Sequence, residues 1–271
     1  MDKRPIGVFD SGLGGLTAVR ELRRLLPGED IVYFGDTGRV PYGSRSKDTI
    51  IKYARQDAAF LNTFDPKAMV VACGTVSANA LDVLQRESSV PVLGVVEPAA
   101  AAAARESKNG RIGLIGTDAS IRSQAYERAL SALRPGARVF PMACPLLVPL
   151  VENGRFRPDD AVARLVVEEY LSPLRQAGVD TLVLGCTHYP LLREVIAAFM
   201  GDGVTLVDAG AACARQVSRL LTEQNALNRS GSGGTCRYFV SDTADGFAPL
   251  ASLFLGEDVT ENVEQVDIGE Y

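Results

Sequence analysis

The sequence predicts an α/β fold of two similar domains, each a mostly parallel sheet flanked by helices, pseudo-symmetric about a central cleft. Three observations carry this reading. Short apolar runs alternate with helical stretches, the pattern of the first half recurs in the second, and each half carries a cysteine at the same strand end. Strands buried on both faces of a parallel sheet read as continuous apolar runs, because neither face alternates with water.

In chain order, Ile6–Phe9, Ile31–Phe34, Met69–Ala72 and Val92–Val95 read as such strands. Ile112–Ile115, Val139–Met142, Thr181–Leu184 and Thr205–Val207 follow. Between them Leu16–Leu26, Thr49–Asn62, Ala161–Gln176 and Leu191–Phe199 carry helical patterns. Strand–helix alternation of this kind is the signature of parallel sheets. Residues 225–234 are polar and glycine-rich and read as a surface loop, after which Cys236–Ser241 reads as a late strand.

The repeat is visible residue by residue. Ile6-Gly7-Val8-Phe9-Asp10-Ser11 resembles Ile112-Gly113-Leu114-Ile115-Gly116-Thr117, and Val70-Val71-Ala72-Cys73 resembles Val183-Leu184-Gly185-Cys186. The run at Val92 has its counterpart at Thr205. One half reads as a diverged copy of the other. The expected division is 1–97 with 209–271 as the first domain and 98–208 as the second, the late strand returning to the first sheet.

Bulk properties narrow the function. The chain has 271 residues, 46% hydrophobic and 23% charged, with a formal net charge of −5. No basic run is present to grip phosphates, which argues against a nucleic-acid partner. The most apolar stretch, Val95–Ala104, is interrupted by Glu97 and Pro98, so no membrane span is expected. Met1–Ile6 runs straight into a strand and leaves no room for a secretory leader. Five cysteines without paired spacing fit free thiols in a reducing, cytoplasmic compartment.

Ligands of open α/β sheets bind beyond the carboxyl ends of the strands. Polar clusters stand at five such ends: Asp10-Ser11-Gly12, Asp36-Thr37 with Pro41-Tyr42-Gly43, Cys73-Gly74-Thr75, Thr117, and Cys186-Thr187-His188-Tyr189-Pro190. If the halves face each other, all five line one cleft. Cys73 and Cys186 each follow an apolar strand and precede a helix start, a setting that favours a thiolate. Cys144, Cys213 and Cys236 lack that setting and read as packing residues. Asp10 and Asp36 suit either helix capping or the cleft, and Glu152 stands in a loop where solvation is the commoner fate.

Cofactor motifs are missing. Thr17 occupies the third glycine position of a G-x-G-x-x-G loop beginning at Gly12, and no Walker lysine follows. None of Lys3, Lys47, Lys52, Lys67 and Lys108 stands at a strand end as a Schiff-base lysine would. His188 is the only histidine, and no C-x-x-C or H-x-x-x-H spacing offers metal ligands. Asn79 stands where a C-x5-R phosphatase loop starting at Cys73 needs arginine.

Phe9-Asp10-Ser11-Gly12-Leu13-Gly14-Gly15, Gly35-Asp36-Thr37 with Pro41-Tyr42-Gly43, and Gly185-Cys186-Thr187-His188-Tyr189-Pro190 resemble the signatures of bacterial glutamate racemases, in order across most of the chain. The resemblance implies a cofactor-independent isomerase, without metal, that inverts glutamate between Cys73 and Cys186 and supplies D-glutamate for peptidoglycan in the cytoplasm. It implies Asp10, Asp36, Glu152 and His188 as supports of the thiols. Asp10, Ser11, Pro41, Tyr42, Gly43, Gly74, Thr75, Thr117, Thr187 and His188 would hold the substrate. It also implies that Cys73 takes the proton from D-glutamate and Cys186 from L-glutamate. The partner is a small molecule, and the oligomeric state stays open, a homodimer included.

One departure stands out. The family usually reads Cys-Asn-Thr where this chain has Cys73-Gly74-Thr75. Glycine offers only its backbone N–H, so weaker binding is expected unless Ser77 or Asn79 takes over, and Gly74→Asn is expected to fold and lower KM. The remaining alternatives are a racemase for aspartate or another amino acid, a Cys–His hydrolase with Cys186 as nucleophile, and a two-domain binding protein without catalysis.

Overall fold

A computed structural model describes residues 2–231, 233–259 and 262–271, so Met1 and, within the expected 225–234 loop, Ser232 lie outside the described residues. The strands are β1 (Ile6–Asp10), β2 (Ile31–Gly35), β3 (Ala68–Val71), β4 (Val92–Gly94), β5 (Arg111–Gly116), β6 (Arg138–Ala143), β7 (Thr181–Leu184), β8 (Thr205–Asp208), β9 (Cys236–Val240) and β10 (Val263–Gln265). They form two sheets, ordered β10-β9-β2-β1-β3-β4 and β6-β5-β7-β8, and every pairing is parallel.

The run β2-β1-β3-β4 repeats as β6-β5-β7-β8, so the sequence repeat is a repeat of strand order. The central strands are buried throughout, as their unbroken apolar runs require. The edge strands β6, β8 and β10 are partly exposed, and β9 is exposed at its start. The late strand β9 pairs with β2 in the first sheet, as expected.

Among the elements that escaped the sequence pattern are the helix Ala244–Leu255, which follows β9, and the short strand β10, which extends the first sheet beyond β9. Neither shows a clean period, and Val263–Gln265 is too short to show one.

Helix starts follow local capping chemistry. Ser46, Asp160 and Asp208 cap the helices Lys47–Asn62, Ala161–Gln176 and Ala209–Glu223, accepting from the N–H of Thr49, Ala163 and Ala211. The helices Leu16–Leu25, Val96–Glu106 and Ala209–Glu223 pack against one another between the sheets. One core cluster runs through that layer from Val8 to Leu114 and Val183. A second, around Phe34, Phe60 and Phe239, covers the other face of the first sheet. This shared apolar layer brings the carboxyl ends of the two sheets together around a cleft. Among the described residues no helix is long and apolar enough to cross a membrane.

Candidate active site

The cleft encloses about 370 Å³. Its first wall comes from segments just past β1, β2 and β3: Ser11 and Gly12, Val40 to Ser44, and Cys73 to Thr75. Its second comes from segments past β5 and β7, Thr117 with Asp118 and Gly185 to His188. Pro145, Val148, Pro149 and Glu152, following β6, complete it. Of the sequence-predicted residues, Ser11, Pro41, Tyr42, Gly43, Gly74, Thr75, Thr117, Glu152, Thr187, His188 and both cysteines line this one space.

Cys73 and Cys186 stand two residues past the ends of β3 and β7, equivalent strands of the two sheets. Both are nearly closed to solvent, at 4% and 8% exposure. Cys73 occupies the N-cap position of the short helix Gly74–Asn79, and its Sγ lies 3.4 Å from Ser11 Oγ. Burial, reinforced by the neighbouring Asp10 carboxylate, pushes the Cys73 thiol up to about 12, against hydrogen bonds from Ser11 and the Val76 N–H. Beside the other thiol, His188 Nδ1 lies 3.8 Å from Cys186 Sγ, and His188 Nε2 lies 3.0 Å from Glu152 Oε1. Burial opposes charge on His188, but Cys186 and Glu152 outweigh it and raise the imidazole to about 10. The two thiols therefore have different neighbours, an imidazole raised by its partners beside Cys186 and the Asp10 carboxyl group near Cys73.

Two aspartates are placed differently from expectation. Asp10, expected to touch substrate, has no exposed surface and lies behind the turn that follows β1. Its Oδ2 accepts the Gly12 N–H at 2.9 Å and its Oδ1 lies 3.5 Å from Thr187 Oγ1. It joins the two walls from behind, and burial raises its own carboxyl despite the His188 charge. Nor does it cap the helix that follows, whose cap position is Gly15. Asp36, expected to support a thiol, is also fully buried and outside the cleft lining. Its Oδ2 accepts from Arg39 Nε at 2.6 Å and from the Tyr42 hydroxyl, and its Oδ1 accepts from Ser241 Oγ at 2.7 Å. It supports a wall of the cleft, because its hydrogen-bonding capacity is spent on that wall.

Ser77 and Asn79 do not replace the missing asparagine. Ser77 Oγ donates to Val71 O at 2.8 Å and accepts the Val95 N–H, while Asn79 Nδ2 donates to Thr75 O at 2.8 Å. Neither lines the cleft. Gly74 has a different reason to be small, since a Cβ there would overlap the carbonyl oxygen of Gly185. This contact stands against the expected gain from Gly74→Asn: the residue sits where the walls touch, and a side chain there requires them to part. Gly14, within the turn once compared with a dinucleotide loop, is small for a similar reason. A Cβ there would overlap Thr187 and His188.

Further bonds tie the walls. Thr75 Oγ1 and Thr117 Oγ1 are 2.9 Å apart, the Ala119 N–H donates to Gly43 O at 2.9 Å, and Thr17 Oγ1 donates to Thr187 O at 3.0 Å. Among the described lining residues there is no lysine or arginine, so an anionic ligand would be held by hydroxyl and backbone donors. No group of three His, Cys, Asp or Glu among the described residues could hold a metal ion. Cys144 and Cys213 are buried and Cys236 half-buried, all outside the cleft.

Sequence reading missed the apolar stretch Pro145–Pro149 and the buried Asp57. The first carries no polar signal. The second had one, since Asp57 interrupts the apolar stripe Ile50, Ala54, Leu61 of its helix.

The profile of the Asp/Glu/Hydantoin racemase family matches residues 16–217. A glutamate racemase of Geobacter metallireducens is 49% identical over 256 residues, 94% of each chain. The crystal structure of a glutamate racemase isoform of Bacillus anthracis superposes with a TM-score of 0.94 at 39% identity, covering 98% of each chain. That of a glutamate racemase of Francisella tularensis in complex with D-glutamate gives 0.92 at 37% identity, covering 100% of each. With equivalent cysteines facing one cleft and likeness along its whole length, this chain belongs to the Asp/Glu/Hydantoin racemase family of isomerases.

Proposed function

We propose that the cleft racemises glutamate by proton transfer between Cys73 and Cys186, without cofactor. One observation carries the reading: equivalent strand ends of two repeated sheets present a thiol each to opposite walls of a single cleft. Inversion needs a base on one face of the α-carbon and an acid on the other. With L-glutamate, Cys186, the His188 imidazolium beside its sulfur, takes the α-proton. Cys73, held as a thiol, returns one from the opposite face; D-glutamate runs the sequence in reverse. Ser11, Thr75, Thr117 and Thr187, with the Gly43 and Gly74 backbone, receive the two carboxylates. Enclosure strengthens those donors by excluding water.

The relatives named glutamate racemase favour glutamate over aspartate as the substrate. The same reading divides the chain into 1–97 with 209–271 and 98–208, each part holding one sheet. It places the enzyme in the cytoplasm, supplying D-glutamate for peptidoglycan. The test is incubation with L-glutamate in D2O without added cofactor, followed by chirality and α-deuteration. Racemisation with deuterium uptake is expected, and Cys73→Ala and Cys186→Ala should each cost at least about 100-fold. Turnover that survives both substitutions, or that vanishes on chelation and returns with a metal, would refute the mechanism.

A further inference from the structure

Behind the first wall of the cleft lies a buried polar cluster that the two-thiol mechanism does not use. Asp36 and Asp57 are both fully buried. Arg39 bridges them, its Nε 2.6 Å from Asp36 Oδ2 and its Nη2 2.9 Å from Asp57 Oδ1. The Tyr42 hydroxyl lies between the same carboxyl groups, hydrogen-bonded to Asp36 Oδ2 and 3.3 Å from Asp57 Oδ2. Arg39 and Tyr42 flank Val40 and Pro41, and Val40 to Gly43 form cleft wall.

We propose that Asp57 is a positioning residue for racemisation, holding the Val40–Gly43 wall in place through Arg39 and Tyr42. It touches neither the cleft nor a thiol. Its grip depends on a proton. A phenol has one hydrogen to donate, and Tyr42 gives it to Asp36, the closer carboxylate. The contact between Tyr42 and Asp57 is then satisfied only if Asp57 supplies the hydrogen, as a neutral carboxyl group donating to the phenol oxygen. Charge balance agrees. Two carboxylates facing one guanidinium would leave a buried net negative charge, which a proton on Asp57 removes. Burial first, and then the Asp36 charge, push Asp57 well above the usual carboxylate range. Asp36 is left as the single anion paired with Arg39, and Ser241 Oγ donates to its free oxygen at 2.7 Å.

This inference rests on the cleft being the racemase site. The full-length enzyme is assayed with glutamate, comparing Asp57→Asn, Asp57→Ala and Asp36→Asn for KM, kcat and Tm. Asparagine keeps a donor for Tyr42 and an acceptor for Arg39, so Asp57→Asn should stay within about threefold of wild type in kcat/KM. Alanine leaves both partners short of a hydrogen bond, and KM should rise about tenfold while kcat changes less than threefold. Asp36→Asn removes the only anion and should cost more than Asp57→Asn. The infrared difference spectrum between wild type and Asp57→Asn should show the carbonyl stretch of a protonated carboxyl group. Asp57→Asn as damaging as Asp57→Ala, or Asp57→Ala lowering Tm with KM unmoved, overturns the proposal. So does an ionised-carboxylate band in the infrared spectrum. If alanine prevents folding, the ranking of the two asparagine variants and the infrared band decide. A wild-type enzyme that leaves glutamate untouched would defeat the substrate reading instead, and the infrared band would still test Asp57.

Discussion

His188 turns Nε2 towards Glu152 Oε1 at 3.0 Å, which leaves its Nδ1 facing Cys186 Sγ. The carboxylate orients the ring, while Cys186 first and then Glu152 raise the imidazole against burial, and Cys73 has no such imidazole beside it. His188→Asn should therefore slow α-proton exchange from L-glutamate by about 10- to 100-fold, the worth of a charge-assisted hydrogen bond. Exchange from D-glutamate should fall much less. Net kcat/KM cannot show this, because the equilibrium fixes its ratio, so exchange is followed from each enantiomer separately. Equal losses would remove the assignment.

The same pair makes stability depend on pH. His188 is raised from 6.5 to about 10 in the folded state, so its contribution is fully present below about 6.5 and is lost as pH rises to about 10. The Tm advantage of wild type over His188→Asn should shrink across that window. An advantage that grows with pH would contradict a folded-state imidazolium.

On the other wall the neighbour is an anion. Burial contributes most to holding Cys73 protonated, and the Asp10 charge adds to it. Removing that charge in Asp10→Asn should lower the Cys73 pKa and shift its alkylation profile towards lower pH. The measurement is iodoacetamide labelling of Cys73 against pH in a Cys186→Ala background. A profile that stays in place would show that burial alone sets this thiol.

Gly74 tests how closely the walls must meet. Any Cβ there overlaps the Gly185 carbonyl oxygen, so Gly74→Ala must open the contact. Overpacking of this kind costs about 1–3 kcal/mol, and each kcal/mol is worth roughly 2–4 °C in Tm for chains of this order. Gly74→Asn should behave likewise, losing stability without a fall in KM. A lower KM at unchanged Tm would mean that the walls part without cost.

Much of the site was legible because its signals are local. Cys73 and Cys186 could be paired since each closes an apolar strand, and a strand buried on both faces announces itself in four or five consecutive residues. The repeat of strand order was visible for the same reason. Asp10 and Asp36 were recognised as notable, but not as residues lying behind the walls they stabilise.

The sequence by itself determined the strands other than β10, their repetition and the thiols at equivalent ends, because each rests on neighbours along the chain. Tertiary structure alone decided the rest. Glu152 reaches His188 from another segment, Thr75 meets Thr117 across the cleft, and Asp36 is paired with Arg39 and Ser241. The need for glycine at position 74 comes from a carbonyl of the other sheet. The physical reason is common to all of these. Whether a polar group is exposed, paired or protonated depends on desolvation and on partners that come from distant parts of the chain, and only the packing of one sheet against the other sets those distances.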